Sequence, residues 1–367
     1  MDFRGVTAGY RILDRPSHFI WRKTTMLKRI DHVPFAILLI ATPIIAATLS
    51  LALGRYSMGI TEPLQILLNT FSDALFNDGA ENAGKTQIII MGIRLPRVIL
   101  GLLCGCGLAA AGAGLQALLS NPLVSPDTLG VASGASFGAA IALLFNKNLL
   151  VVQLSALIFG VLAMYITYQA GRQRGQSSII MLVLAGTVVT ALFQAMVSLI
   201  KYTADSEEKL PAITYWLMGS LNNATWKGLA MGAPVILLGV ALLIAIRWKC
   251  NVLTLSEDEA KSMGVNLKTL RVIIIVAATA IIASCVSMCG QIGWIGLIVP
   301  HICRMLFGSD NSRVIPASAS FGAVFMVLLD TVARSATESE IPISILTAVV
   351  GAPFFIILLK KTGGGWK

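Results

Sequence analysis

Residues Gly290–Asp310 read GQIGWIGLIVPHICRMLFGSD. Glycine recurs at every third position, Gly290, Gly293 and Gly296; an apolar run follows, then Pro300-His301 and Arg304. Three-residue spacing stacks small side chains along one helix face, where a second backbone can approach closely. Pro300 lacks a backbone N–H and therefore bends or restarts a helix. Arg304 falls where a membrane helix would reach water and can extend its guanidinium outward. The stretch reads as a packed, kinked segment inside a membrane bundle.

Composition agrees. The 367 residues are 56% hydrophobic and 13% charged, against about 25% charged in soluble domains. Charge-free runs cover Val33–Gly54, Val98–Pro126, Thr128–Asn146, Asn148–Gly171, Gly175–Ile200, Gly228–Ile246, Val272–Cys303, Val314–Leu329 and Ile341–Leu359. A span takes about 20 apolar residues, so Val272–Cys303 is too long for one helix. A break at Gly290-Gln291-Ile292-Gly293 divides it and gives about ten spans, an all-α polytopic membrane protein. Basic residues favour the cytoplasmic side of a membrane. With ten spans and both ends cytoplasmic, 19 of the 28 Lys and Arg fall inside and nine outside; nine spans would give 15 against 13. Ten is the better topology. The net charge of +10 is then mostly a topology signal rather than a nucleic-acid footprint.

The expected organisation is a basic cytoplasmic leader over 1–32, a transmembrane domain over 33–361 and a short cytoplasmic tail over 362–367. The leader is too long, and the apolar run after it too long, for a signal peptide. Cys104, Cys106, Cys250, Cys285, Cys289 and Cys303 lie almost all within spans and read as small packing residues: the pairs Cys104/Cys106 and Cys285/Cys289 would each need further ligands to hold a metal, and the chain has only three histidines.

Several features point outward from the core. Arg94-Leu95-Pro96-Arg97 places two cations at the outer mouth of the second span. Gly101, Gly105 and Gly112 form a small-residue stripe along it. Asn121-Pro122 and Ser125-Pro126 force a non-helical turn. Gly130, Ser133, Gly134, Ala135, Ser136 and Gly138 open the third span, either as a close-packing face or as a small-residue lining. Thr187, Thr190, Gln194 and Ser198 share one face of the fifth span, and Ser344, Thr347 and Gly351 share one face of the tenth. Each set either bonds a neighbouring helix or lines a path. Asp330 is the intramembrane carboxylate, within i+4 reach of Arg334. Between the sixth and seventh spans, Ser256-Glu257-Asp258-Glu259-Ala260 has an N-cap serine and acids in its first turn, and Gly264-Val265 stops it. This short amphipathic helix is either a solvated connector or a surface element that fits a partner's groove.

Taken in order, Arg94-Leu95-Pro96-Arg97, Asn121-Pro122-Leu123, Leu129-Gly130-Val131, Trp216-Leu217-Met218-Gly219-Ser220, Gly264-Val265, Gly296-Leu297-Ile298-Val299-Pro300-His301 and Gly351-Ala352-Pro353-Phe354 resemble the permeases of the iron-chelate, haem and vitamin B12 importers, the type II ATP-binding cassette (ABC) importers. The resemblance covers residues 35–361. It implies a ten-helix permease in a bacterial cytoplasmic membrane, paired with a second copy or a paralogue, with a path lined by the fifth and tenth helices: Thr187, Thr190, Gln194, Ser198, Ser344, Thr347 and Gly351. It implies a cytosolic ABC ATPase dimer that grips Ser256, Glu257, Glu259, Ala260, Gly264 and Val265. It also implies a periplasmic or lipid-anchored binding protein whose acids meet Arg94, Arg97 and Arg334. The chain would have no catalytic site, cofactor or metal of its own; ATP would be used by the partner subunit. Ferric siderophore is the commonest cargo of the family, with haem, cobalamin and molybdate-type oxyanions open. An ion-coupled carrier would need ionisable groups near the midplane, where only Asp330 and His301 qualify, both near span ends. An intramembrane enzyme would need a His-Glu-x-x-His, serine–lysine or paired-aspartate constellation, and none is evident in the spans.

Overall fold

A computed structural model of the chain describes residues 32–54, 59, 61–76, 85–145, 148–173, 176–177, 179–337 and 339–362. Apart from His32 and Thr362, the expected leader and tail lie outside the described residues. The chain begins with α1 (His32–Ala52) and α2 (Glu62–Phe76); α3 (Lys85–Ile89) then runs through a π-helical turn, Ile90–Arg94, into α4 (Leu95–Leu118). A 3-10 turn, Pro126–Leu129, leads to α5 (Val131–Phe145), α6 (Leu149–Ala170), α7 (Ile179–Thr203), α8 (Lys209–Leu217) and α9 (Trp226–Ala245). A second 3-10 turn, Lys249–Thr254, precedes α10 (Glu257–Ser262), α11 (Leu267–Cys289), α12 (Ile295–Phe307), α13 (Asn311–Ser335) and α14 (Ile343–Thr362). Among the described residues the only β pairing is Arg172–Gln173 with Gln176–Ser177, between α6 and α7.

Seven helices are long and apolar enough to cross a bilayer, and three shorter apolar ones, Val131–Phe145, Ile295–Phe307 and Ile343–Leu358, bring the described spans to the expected ten. Helices α4, α11 and α13 are the most deeply buried of the long spans, whereas α1 and α7 leave most of their surface outside the chain.

The α4 glycines are where helices meet backbone to backbone. A Cβ at Gly105 would lie 2.2 Å from the Gly322 carbonyl oxygen of α13, and one at Gly112 would lie 2.0 Å from that of Gly296 in α12. No side chain fits there, and the short distance lets dispersion act along the whole contact. The α5 glycines serve α6 in the same way: a Cβ at Gly138 would be 2.4 Å from Ser155 O, and one at Gly134 would be 2.6 Å from Phe159 O. Close packing is therefore their role.

The Gly290–Asp310 stretch corrects one expectation. Its glycines do not share a helical face, because α11 ends at Cys289 and α12 starts only at Ile295. Gly290 has φ +73° and faces the Trp216 carbonyl oxygen, 2.2 Å from where a Cβ would sit. That position excludes any side chain on two counts. Gly296 alone joins a helix, against Gly112. Pro300 lies inside α12, so the Gly296 carbonyl four residues earlier loses its intrahelical donor. Gln116 Nε2 lies 3.4 Å from that oxygen and donates to it, and Gln116 Oε1 accepts from Arg304 Nη1. One buried glutamine thus ties the proline kink and the arginine to α4.

The break is held by Trp216–Ser220. Ser220 N donates to Cys289 O at 2.8 Å, and Ile343 N donates to Gly219 O at 3.0 Å. Two distant sequence motifs thereby meet, and α14 starts from the same knot.

Candidate functional site: connection, exposed polar face and arginine cluster

The α10 connection is rigid for local reasons. The Ser256 hydroxyl accepts from Glu259 N at 3.3 Å, while the Glu259 carboxylate accepts from Ser256 N at 2.9 Å, which makes a capping box. These Ser256 hydrogen bonds hold the Glu259 carboxyl below the usual glutamate range. At the other end Val265 N donates to Ala260 O, and Gly264 N to Lys261 O, both at 2.9 Å. This pair is a Schellman ending, with Gly264 at φ +74°. Ala260 and Val265 are buried, and Asp258, Glu259, Lys261 and Met263 are exposed. Glu257 is the first residue of the helix. The connection is also tied to α13: Asn251 Nδ2 donates to Asp310 Oδ1 at 2.7 Å, and Asn311 N donates to Asn251 Oδ1 at 2.8 Å. Asp310 in turn caps α13 through Ser312 N. Burial pushes its carboxyl up, but hydrogen bonds from Ser312 and Asn251 prevail and hold it low. Helix α10 thus packs against α11, and the 3-10 turn that precedes it is tied to α13 through Asn251.

The two polar stripes end up in different surroundings. On α7, Thr187, Gln194 and Ser198 are exposed and Thr190 is half-buried. Thr187 Oγ1 donates to Leu184 O at 2.8 Å and Ser198 Oγ to Gln194 O at 2.9 Å, both within α7. Bonding to a neighbouring helix is not what these hydroxyls do in this chain. The α14 stripe is turned inward, the arrangement of its helix-bonding alternative. Thr347 is fully buried and donates to Ser344 O at 3.0 Å; Ser344 Oγ donates to Met218 O. Gly351 is buried, and a Cβ there would lie 2.8 Å from the Trp294 ring. The outward side of α14 is apolar, with Ile345, Val349 and Val350 exposed.

Arg94, Arg97 and Arg334 do come together, but as buried groups, 5%, 7% and 7% exposed. The expectation of fixed surface cations is corrected. Arg97 holds Asp330 through Nη2 at 2.8 Å and Nε at 3.0 Å, and Glu340 through Nη1 at 2.9 Å. Arg334 Nη2 donates to the Ser50 hydroxyl at 2.8 Å, and its Nε sits 3.7 Å from Asp330. Arg94 Nη1 donates to Leu51 O at 2.7 Å, at the end of α1. The Asp330–Arg334 pair is present, though Arg97 is the closer partner. This cluster binds α1, α4, α13 and the start of α14 at the end of the bundle away from α10.

Cys104, Cys285 and Cys289 pack at the α4–α11 contact, with the Cys104 and Cys289 sulfurs 3.7 Å apart. Among the described residues no group of three or more His, Cys, Asp or Glu is placed to hold a metal. One residue was passed over in the sequence. Asp127 stands between the charge-free runs Val98–Pro126 and Thr128–Asn146. In three dimensions the Pro126–Leu129 turn is folded back among the spans, against α7 and α12.

Ten packed spans with a capped and exposed helix between α9 and α11 have the form of a membrane permease of the ABC importer class. Residues 40–361 match the FecCD transport family. The chain is 40% identical over 322 residues to the molybdate import system permease protein MolB of Haemophilus influenzae, a match covering 88% of this chain and 94% of that one. It is 33% identical over 317 residues to the hemin transport system permease protein HmuU of Yersinia pestis, covering 85% and 92%. A solved structure of an inward-facing conformation of a metal-chelate type ABC transporter matches with a TM-score of 0.79 and 37% identity, over 90% of this chain and 100% of that one. The chain belongs to the FecCD transport family.

Proposed function

We propose that the chain is the permease through which an ATP-driven importer carries a metal chelate, a ferric siderophore foremost, across a bacterial cytoplasmic membrane. Both termini lie in the cytoplasm, and so does α10. Two copies, or this chain and a paralogue, surround the path with lipid outside, and an ATPase dimer supplies the energy. The chain itself binds no cofactor and no nucleic acid. The observation that carries this reading is α10: a helix capped at both ends, exposed on its acidic face and seated through Ala260 and Val265. A partner gripping that face would move α11 and α13 as levers. ATP binding then biases the permease between two states, and the partner's differential grip on α10 sets the balance.

The exposed α7 stripe of Thr187, Gln194 and Ser198 supports α7 as the path helix: it offers hydroxyl and amide groups without charge. Thr190 borders it. The α14 residues Ser344, Thr347 and Gly351 act in this reading by setting the tilt of α14 against Trp294. The binding protein docks at the arginine end, where its acids would compete with Glu340 and Asp330 for Arg94, Arg97 and Arg334. A molybdate-type oxyanion is the second reading, favoured by the 40% identity to MolB. Haem and cobalamin belong to the same class. The test is uptake of radiolabelled ferric hydroxamate siderophore and of radiolabelled molybdate by cells with and without the chain. Loss of iron uptake alone on deletion is the expected result; loss of molybdate uptake alone would overturn the siderophore assignment.

A further inference from the structure

Asp127 is a carboxylate inside the spans with nothing holding it. Its turn is anchored at depth on two sides. A Cβ at Gly186 of α7 would lie 2.2 Å from Thr128 O, and one at Gly296 would lie 2.3 Å from Pro126. Gly186 is the eighth residue of α7, which puts it about 10 Å along the helix from its first turn. The turn therefore re-enters the bundle from the α10 end. Among the described residues the Asp127 side chain makes no hydrogen bond and no ion pair, and it is half-buried. Ionisable groups at such depth are costly, so they pair, face water or line a route. Asp127 has no pair. Its neighbourhood is open: a side chain at Gly293 would meet nothing within 4 Å except the Asp127 carboxylate, at 3.9 Å. The opening is bordered by the two non-helical breaks and by the path helix: Gly130, next to the turn, faces Thr190, and Trp294, next to Gly293, faces Gly351.

We propose that Asp127 lines the cargo path where the two breaks meet, and that its negative charge sets the path for neutral or cationic chelates and against oxyanions. This rests on the reading of the chain as a permease and narrows its cargo. In a symmetric pair two such carboxylates face the same route. A bare oxyanion would meet repulsion from them, whereas a neutral or cationic chelate would not.

Charged thiol reagents test this without cargo or partner proteins. Gly293→Cys is introduced with Cys106→Ala in the full chain, in membrane vesicles of both orientations. Its modification by a cationic and by an anionic methanethiosulfonate is compared with that of Met263→Cys, which is exposed on the α10 connection. The expected result is that the cationic reagent is favoured at Gly293→Cys by about tenfold over its preference at Met263→Cys, a ratio within reach of one charge at this distance. Adding Asp127→Asn should abolish that preference. Asp127→Cys, which needs no room at Gly293, should itself be modified from the α10 side. No modification at either position, or a preference that survives Asp127→Asn, would overturn the proposal. Either outcome leaves the permease reading intact; absence of an ATPase partner would defeat that reading while leaving the labelling pattern unchanged.

Discussion

Replacing Asp330 with asparagine should be among the most damaging single changes outside the glycine contacts. The cluster sets Arg94, Arg97 and Arg334 against Asp330 and Glu340, a formal charge of +1. Asp330→Asn keeps the shape and one acceptor but raises the charge to +2 within a buried site. Arg97 loses a bidentate partner at 2.8 and 3.0 Å, and Arg334 loses its nearest anion. Breaking a buried pair from one side costs about 3–5 kcal/mol, roughly a hundredfold to several thousandfold in the folding equilibrium. The double variant Arg97→Met/Asp330→Asn restores the charge to +1 and puts an apolar chain where the guanidinium lay. It should cost about 1 kcal/mol or less, as apolar replacements of buried pairs often do. The assay is unfolding of the purified chain in mixed detergent–SDS micelles, read by tryptophan fluorescence, as a double-mutant cycle. A single variant costing under about 1 kcal/mol, or a double variant costing the sum of its parts, would refute the assignment of Asp330 as the anchor of this cluster.

Three further outcomes follow from the local geometry. Ser256→Ala removes the α10 N-cap and should destabilise that helix by about 1 kcal/mol, seen as roughly fivefold faster amide exchange across Glu257–Ser262 with α13 unaffected. Because Ser256 holds the Glu259 carboxyl low, its contribution is fully present above the unfolded glutamate pKa, about 4.3, and is lost as pH falls through the still lower folded value. Amide protection of α10, corrected for intrinsic exchange, should therefore persist at pH 5 and fall only below about 4; loss already at pH 6 would contradict the capping box. Gly112→Val should abolish accumulation of folded protein, since even its Cβ would lie 2.0 Å from Gly296 O, whereas Gly92→Ala, with nothing within 4 Å, should be tolerated. Size-exclusion profiles of the two in detergent separate these outcomes.

The ten spans were legible because hydropathy and basic residues report directly on the bilayer, and helix ends followed from Pro, Gly and cap residues. The Ser256–Val265 connection was legible for the same reason: its caps are local chemistry. What could not be read was direction. The stripes at Thr187 and Thr347 look alike in sequence, yet one faces out and the other in, because that is decided by how α7 and α14 pack against the rest. Arg97 read as a surface cation because its acidic partners, Asp330 and Glu340, are more than 230 residues away in sequence. Gly290, Gly293 and Gly296 read as one helical face because a break in the ladder, held by Ser220 and Trp216, has no local signal beyond the glycines. Asp127 was hidden by its place between two prolines and an apolar run, the pattern of an ordinary surface turn; its depth comes only from Gly186 and Gly296.

The most direct test of the central claim, that this permease is driven through α10, is purification of the tagged chain from its native membranes in mild detergent, with quantification of what accompanies it. Wild type is compared with a chain carrying Asp258→Pro and Glu259→Pro. The account predicts an ABC ATPase in equal number with the wild-type chain, with ATP turnover that an added substrate-binding protein accelerates, and loss of that ATPase from the proline variant while the chain remains monodisperse. A wild-type chain that never carries an ATPase, or a proline variant that keeps both the ATPase and its stimulation, would contradict it.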